Sequence, residues 1–147
     1  MLDDSFLDLT LLSGAHRDAP LALPWPVPGN PEGFIEFSTP AQWRAFVLSL
    51  GLPGGIPEIV AAKFRRTQML YFLAWLYNDL IKAGKLMALA TLELALNDRY
   101  GSKVKKRGAY RSFAELLAYM VQDGLTDEKI PMVKRSGGSA RYCRTDA

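Results

Sequence analysis

Cysteine and histidine are nearly absent from this chain of 147 residues, in which Cys143 and His16 are the only representatives. A single cysteine excludes a disulfide framework and a cysteine-based zinc site within one chain. A single histidine excludes a histidine pair for a metal, and no serine or cysteine motif indicates a catalytic triad. We therefore interpret His16 as an ordinary surface or turn residue. We expect no catalytic constellation, no metal and no cofactor.

Long hydrophobic runs are missing as well. The most apolar stretch, Met69–Ile81, is about 13 residues long and contains Asn78 and Asp79, whereas a membrane-spanning helix needs about 20 apolar residues. The chain begins Met-Leu-Asp-Asp, which is acidic where a secretory signal requires positive charge. Together with the single cysteine, these features predict a cytoplasmic protein with no membrane association.

What the chain does contain is the composition of a globular domain, with 49% hydrophobic and 22% charged residues. Its length suits one domain with a substantial core. We predict a mainly α fold, a small bundle of about four helices with a proline-rich, extended N-terminal arm. Residues 1–38 form the arm that packs on the domain, residues 39–125 the helical domain, and residues 126–147 a loosely ordered basic tail.

The predicted arm has five prolines between Pro20 and Pro31, and each removes a backbone donor and restricts the residue before it. Apolar residues alternate with these prolines, so we expect the arm to lay them on the helical body. Trp25 is then an anchor to the chain's own domain, although a proline-rich ligand for a partner is the alternative. Gly33–Phe37 is predicted to be a short strand.

The helices are predicted from caps and periodicity. Thr39 followed by Pro40 predicts the start of the first helix, and Ser112 with Glu115 predicts a capping box at the start of the fourth. Between them, Pro57 opens a second helix. Proline and glycine are absent from Ile59 to Ala83, so Gly84 is the expected break before a third helix.

The core is expected in the second and third helices, between about Pro57 and Tyr100. The stretch Met69–Tyr77 is apolar on almost every side, which predicts a helix enclosed by its neighbours. The third helix is predicted from Lys85 to Arg99. Glu93 lies there among apolar neighbours. It is either a buried carboxylate, a type enriched at functional sites, or the outer face of an amphipathic helix.

Positive charge is concentrated in the last third of the chain. Residues 1–98 contain 7 Lys/Arg against 10 Asp/Glu, a net charge of −3, and residues 99–147 contain 11 against 5, a net charge of +6. Cations flanked by aromatic rings are typical of single-stranded nucleic-acid sites, and a solvated basic loop is the simpler alternative. The candidate nucleic-acid-binding residues are Arg99, Tyr100, Lys103, Lys105, Lys106, Arg107, Tyr110 and Arg111.

The segment Tyr71–Gly101 resembles the paired central helices of HEPN-type domains, small helical domains of prokaryotic toxin, defence and RNA-processing systems. The resemblance is carried by the tripeptide Lys82-Ala83-Gly84, by the Thr-Leu-Glu-Leu-Ala-Leu run from Thr91, and by the helix ending Asp123-Gly124-Leu125. Ribonucleases of that superfamily carry an Arg-x4–6-His motif on a late helix, and His16 cannot supply it. The resemblance therefore implies either a non-catalytic domain or a chain that stops before the motif.

Two functions follow from these observations. The first is a non-enzymatic helical domain that acts through protein–protein contacts or self-association. The alternative is an RNA-directed module, either an RNA binder using the basic loop or a truncated HEPN-like ribonuclease of a toxin or defence system. They differ in whether nucleic acid or another protein is the partner.

Overall fold

The computed structural model describes residues 6–25, 30, 32–104 and 111–124. Its elements are a 3-10 helix (Leu9–Leu12), strands β1 (Leu21–Pro24) and β2 (Phe34–Phe37), and helices α1 (Pro40–Ser49), α2 (Glu58–Leu73), α3 (Leu80–Tyr100) and α4 (Phe113–Gln122). The predicted mainly α fold with about four helices is thus confirmed. The predicted tail, residues 126–147, lies outside the described residues, as do positions 1–5, 26–29 and 31 of the predicted arm.

Helices α1 and α4 begin at the residues that the caps predicted. The Thr39 hydroxyl accepts a hydrogen bond from the Gln42 backbone N–H at 3.2 Å, and the Ser112 hydroxyl accepts one from the Glu115 backbone N–H at 3.2 Å. In each box the side chain of the later residue accepts a bond from the backbone N–H of the capping residue. Two orphan donors are satisfied at each helix start, which is why these boundaries can be predicted locally.

The residues before α1 form a small hairpin on the helices. Strands β1 and β2 pair antiparallel, with Leu21 opposite Phe37 and Leu23 opposite Ile35. Leu21, Leu23 and Phe37 are buried, while Ala22 and Glu36 are exposed. The predicted short strand at Gly33–Phe37 is confirmed, and the hairpin contributes directly to the core.

The principal core joins this N-terminal region to α1 and to the end of α2. Trp43 is fully buried, and its indole N–H donates to the backbone carbonyls of Tyr71 at 2.8 Å and Phe72 at 3.2 Å. The prediction that confined the core to Pro57–Tyr100 was therefore too narrow. The buried members of the cluster are Leu7, Leu12, Leu21, Leu23, Phe37, Trp43, Val47, Phe72, Ala74 and Trp75.

The break between the second and third helices lies earlier than predicted. α2 ends at Leu73, and Gly84, the predicted break, lies inside α3. A residue from the N-terminal region contacts the turn between the two helices. The Arg17 guanidinium donates to the Trp75 carbonyl at 2.8 Å and to Asn78 Oδ1 at 3.0 Å. Tyr77 on this turn is 71% exposed, so the prediction of an enclosed helix through Met69–Tyr77 was wrong at its end.

A second, smaller cluster joins the end of α3 to α4. Leu96, Tyr100 and Leu116 are buried in it, with Phe113 and Met120 packed against them. α4 therefore covers only the C-terminal part of α3. The candidate site lies on the part of α3 that α4 leaves uncovered.

Candidate functional site

A row of leucines on α3 lies exposed to solvent. Leu86 is 70% exposed, Leu89 52% and Leu92 42%. Residues three apart lie on the same side of a helix, so the three side chains form one continuous apolar strip. We call these three leucines the α3 face. Single exposed leucines are ordinary, but a contiguous apolar patch on a helix marks an interaction surface.

The α3 face points away from the rest of the described chain. The opposite side of α3 packs against α2, where Gly84 and Thr91 are buried. A Cβ atom added at Gly84 would lie 3.3 Å from the Tyr71 ring, so glycine allows the close approach of the two helices. Leu96 continues the leucine row toward the C-terminus, but there α4 covers it through Leu116. The α3 face is thus the uncovered remainder of a helix-packing surface.

Two charges flank the α3 face symmetrically. Lys85 lies four residues before Leu89 and Glu93 four residues after it, and both side chains are exposed. A separate ion pair joins Lys82 Nζ to Asp79 Oδ1 at 3.1 Å. Of the two interpretations of Glu93, the exposed one agrees with the structure. The buried-carboxylate interpretation does not.

Only some of the candidate nucleic-acid-binding residues lie in the described part of the chain. Arg99 and Lys103 are exposed at the end of α3, and half-buried Arg111 donates from Nε to the Val104 carbonyl at 3.0 Å. Tyr100 is only 7% exposed and packs on Tyr119 with the ring centroids 5.4 Å apart, so its ring lies in the second cluster and is not open for a base. The remaining candidates lie outside the described residues: Lys105, Lys106, Arg107 and Tyr110.

No catalytic arrangement is visible among residues 6–25, 30, 32–104 and 111–124. His16 is exposed, 3.8 Å from exposed Asp18, as expected of a surface histidine. Within the same ranges, no group of three or more His, Cys, Asp or Glu side chains could hold a metal. Hydrogen bonds from Thr10 lower the pKa of Asp8, and burial raises the pKa of Tyr71. Both shifts have local structural causes.

The surface also carries an apolar groove of about 540 Å³ where the start of α2 meets the end of α3 and α4. Asp98 and Arg99 are its charged lining residues, beside Pro57, Leu96 and Met120. These side chains offer shape and two opposite charges but no nucleophile held by a base.

Two polar residues with long-range roles were not singled out from the sequence. The buried Gln68 amide donates to the carbonyls of Val47 at 3.2 Å and Leu50 at 3.3 Å, where α1 ends. Arg17 holds the turn between α2 and α3 and also stacks on Trp75, with its Cζ 5.4 Å from the ring centroid. A glutamine inside the apolar periodicity of a helix was the available signal for the first. No local signal marks Arg17, because its partners lie 58 and 61 residues away.

None of the helices in the described part of the chain combines the length and hydrophobicity that crossing a bilayer requires. Searches against protein-family models, curated proteins and solved structures find no match to the chain.

Proposed function

We propose that this chain is a non-enzymatic helical domain that acts in the cytoplasm through protein–protein contacts made by the α3 face. The observation that carries the proposal is the exposure of Leu86, Leu89 and Leu92 in one row, beside Leu96 of the same row, which α4 covers. The strip has the form of a helix-packing surface, and its uncovered part is open to a partner.

The free energy gained by covering the three leucines limits how tightly the α3 face can bind a partner. Covering the exposed fractions of three leucines contributes about 3 kcal/mol per chain, at 1.5–3 kcal/mol for a fully buried leucine. Association itself costs roughly 4–15 kcal/mol in lost freedom. One α3 face alone therefore gives at most a weak complex, and a partner must add apolar surface or charge of its own.

The proposal can be tested without knowing the partner, by measuring whether the α3 face is covered in the cell. Leu89→Cys, in a chain whose only native cysteine is removed by Cys143→Ser, should react slowly with a membrane-permeable maleimide in intact cells. In dilute purified protein it should react quickly. We expect a slowing of at least about twofold in cells, which corresponds to a covered fraction of about half.

A matched control removes general effects of the cell on thiol labelling. Ala45→Cys, in the same Cys143→Ser chain, places a thiol on an exposed position of α1. Its rate in cells, relative to dilute protein, sets the scale for an uncovered site. If the Leu89→Cys and Ala45→Cys variants are slowed equally, the α3 face is open in the cell and the proposal is wrong.

The RNA-directed, HEPN-like module remains the second proposal, and the exposure of Arg99 and Lys103 beside half-buried Arg111 favours it. Reversing the charge of the loop should abolish retention on single-stranded RNA. The unmodified protein should also lose affinity steeply with added salt, because each neutralised phosphate releases a counterion. The reversed residues are Lys103, Lys105, Lys106 and Arg107, all replaced with glutamate.

The control for this experiment is a variant with the same change in net charge elsewhere on the chain. An electrophoretic mobility shift at low salt should show binding by the control and by the unmodified protein, but not by the loop variant. Absence of a shift for the unmodified protein at low salt would remove the RNA proposal. The control replaces Lys63, Arg65, Arg66 and Lys82 with glutamate.

A further inference from the structure

A partner of the α3 face must match both its three leucines and the two charges beside them. We propose that this partner is α3 of a second copy of the chain, lying antiparallel to the first about a twofold axis at Leu89. The inference rests on the proposed function, because it names what covers the α3 face.

The leucines are arranged symmetrically about the proposed axis. Leu86 lies three residues before Leu89 and Leu92 three residues after it, and all three are exposed. When two antiparallel copies cross at Leu89, Leu86 lies opposite the partner's Leu92, and Leu89 lies opposite the partner's Leu89. Leucine ridges interdigitate at interaxial distances of about 8–10 Å, and the two helices must cross steeply, because α4 occupies the space over Leu96 that an aligned partner helix would need. Because α4 covers Leu96, Leu89 is the midpoint of the open strip.

The flanking charges distinguish the antiparallel from the parallel arrangement. In the antiparallel pair, Lys85 lies opposite the partner's Glu93, and Glu93 lies opposite the partner's Lys85. In a parallel pair each residue lies opposite its own counterpart, so Lys85 would face the partner's Lys85 and the two Glu93 side chains would repel each other. Like charges brought together in this way exclude an arrangement, and opposite charges select its register.

This self-complementarity favours a second copy over an unrelated partner. A twofold interface uses the same patch on both subunits, so each feature must be matched by another feature of the same patch. The α3 face meets that condition for its leucines and for its charges. The contact spans about two helical turns, well below the ~1,600 Å² of a standard interface, so we expect a weak dimer with a dissociation constant on the order of 0.1–1 mM.

The first test is a charge swap measured by sedimentation equilibrium of the full chain. Lys85→Glu and Glu93→Lys should each weaken the dimer roughly tenfold, because each change turns both symmetric ion pairs into repulsions. The double variant restores two opposite-charge pairs and should return to within about threefold of the unmodified protein. Both positions are exposed, and far-UV circular dichroism checks that the variants fold.

The second test is disulfide crosslinking in the Cys143→Ser chain. Leu89→Cys should crosslink to itself under mild oxidation, because this position meets its own copy at the axis. Leu86→Cys alone and Leu92→Cys alone should crosslink poorly, whereas a mixture of the two should give the mixed dimer. Ala45→Cys controls for crosslinking by random collision.

The outcomes separate this inference from the proposed function. A concentration-dependent dimer, recovery in the double charge variant and self-crosslinking of the Leu89→Cys chain support the inference. A dimer without recovery in the double variant overturns the antiparallel register. A strict monomer overturns the inference. If the thiol of the Leu89→Cys variant is nevertheless protected in cells, the proposed function stands, and another protein covers the α3 face.

Discussion

Replacing Trp43 with alanine should lower the free energy of unfolding by about 3–5 kcal/mol, a large part of the 5–15 kcal/mol that holds a small domain together. Trp43 is fully buried and packs against Phe37 and Phe46, with ring centroids 5.0 and 5.7 Å away. Removing it opens a cavity where the hairpin, α1 and the end of α2 meet. Urea unfolding followed by far-UV circular dichroism measures the loss.

Two further variants divide this effect into packing and hydrogen bonding. Trp43→Phe keeps an aromatic ring but removes the indole N–H that donates to the Tyr71 and Phe72 carbonyls. It should cost about 1–2 kcal/mol for the lost hydrogen bond and the smaller ring, because both carbonyls still accept backbone bonds, Tyr71 from the Ala74 N–H at 3.1 Å and Phe72 from the Trp75 N–H at 3.2 Å. Trp25→Ala, at a half-buried tryptophan in edge contact with Phe46, should cost less than Trp43→Ala. A Trp43→Ala protein as stable as Trp25→Ala would contradict the proposed position of the core.

The helix starts could be predicted because their causes are local. A capping box needs only residues within three positions, so Thr39 and Ser112 identify themselves in the sequence. The end of α2 has no such local signal. Arg17 bonds to the turn that follows Leu73 across 58 residues, and no local pattern contains that information. Gly84 is the strongest helix-breaking residue in this part of the sequence. The break between the second and third helices was therefore predicted there and not after Leu73.

The α3 face could not be predicted from the sequence for a related reason. Hydrophobic periodicity shows which residues avoid water but not which element covers them. The leucines of α3 form one row in the sequence, and only the position of α4 separates covered Leu96 from exposed Leu86 and Leu89. Glu93 was recognisable as unusual for its apolar neighbours. That it flanks an open strip follows only from the packing.

Enlarging Gly84 should destabilise the chain by separating α2 from α3. A Cβ at this position meets three atoms of the Tyr71 ring at 3.3–3.4 Å, and the larger valine side chain cannot fit without moving the ring or the helix. We expect Gly84→Val to cost about 1–3 kcal/mol by overpacking, measured as a lower urea midpoint with an unchanged slope. Gly84→Ala should be nearly neutral, because the gain of about 1 kcal/mol in helix propensity offsets the tight contact.

The contrast with an exposed position makes the Gly84 result decisive. Ala90→Val introduces the same side chain on an exposed site of the same helix and should cost only the few tenths of a kcal/mol expected from helix propensity. Combining Gly84→Val with Tyr71→Ala removes the ring that valine strikes, so the two changes together should cost less than the sum of their separate effects. If Gly84 were a hinge between two helices, valine there would cost no more than valine at Ala90, and no coupling to Tyr71 would appear. A large, Tyr71-dependent loss instead identifies glycine as the residue that lets α2 and α3 pack closely, with the α3 leucines turned outward.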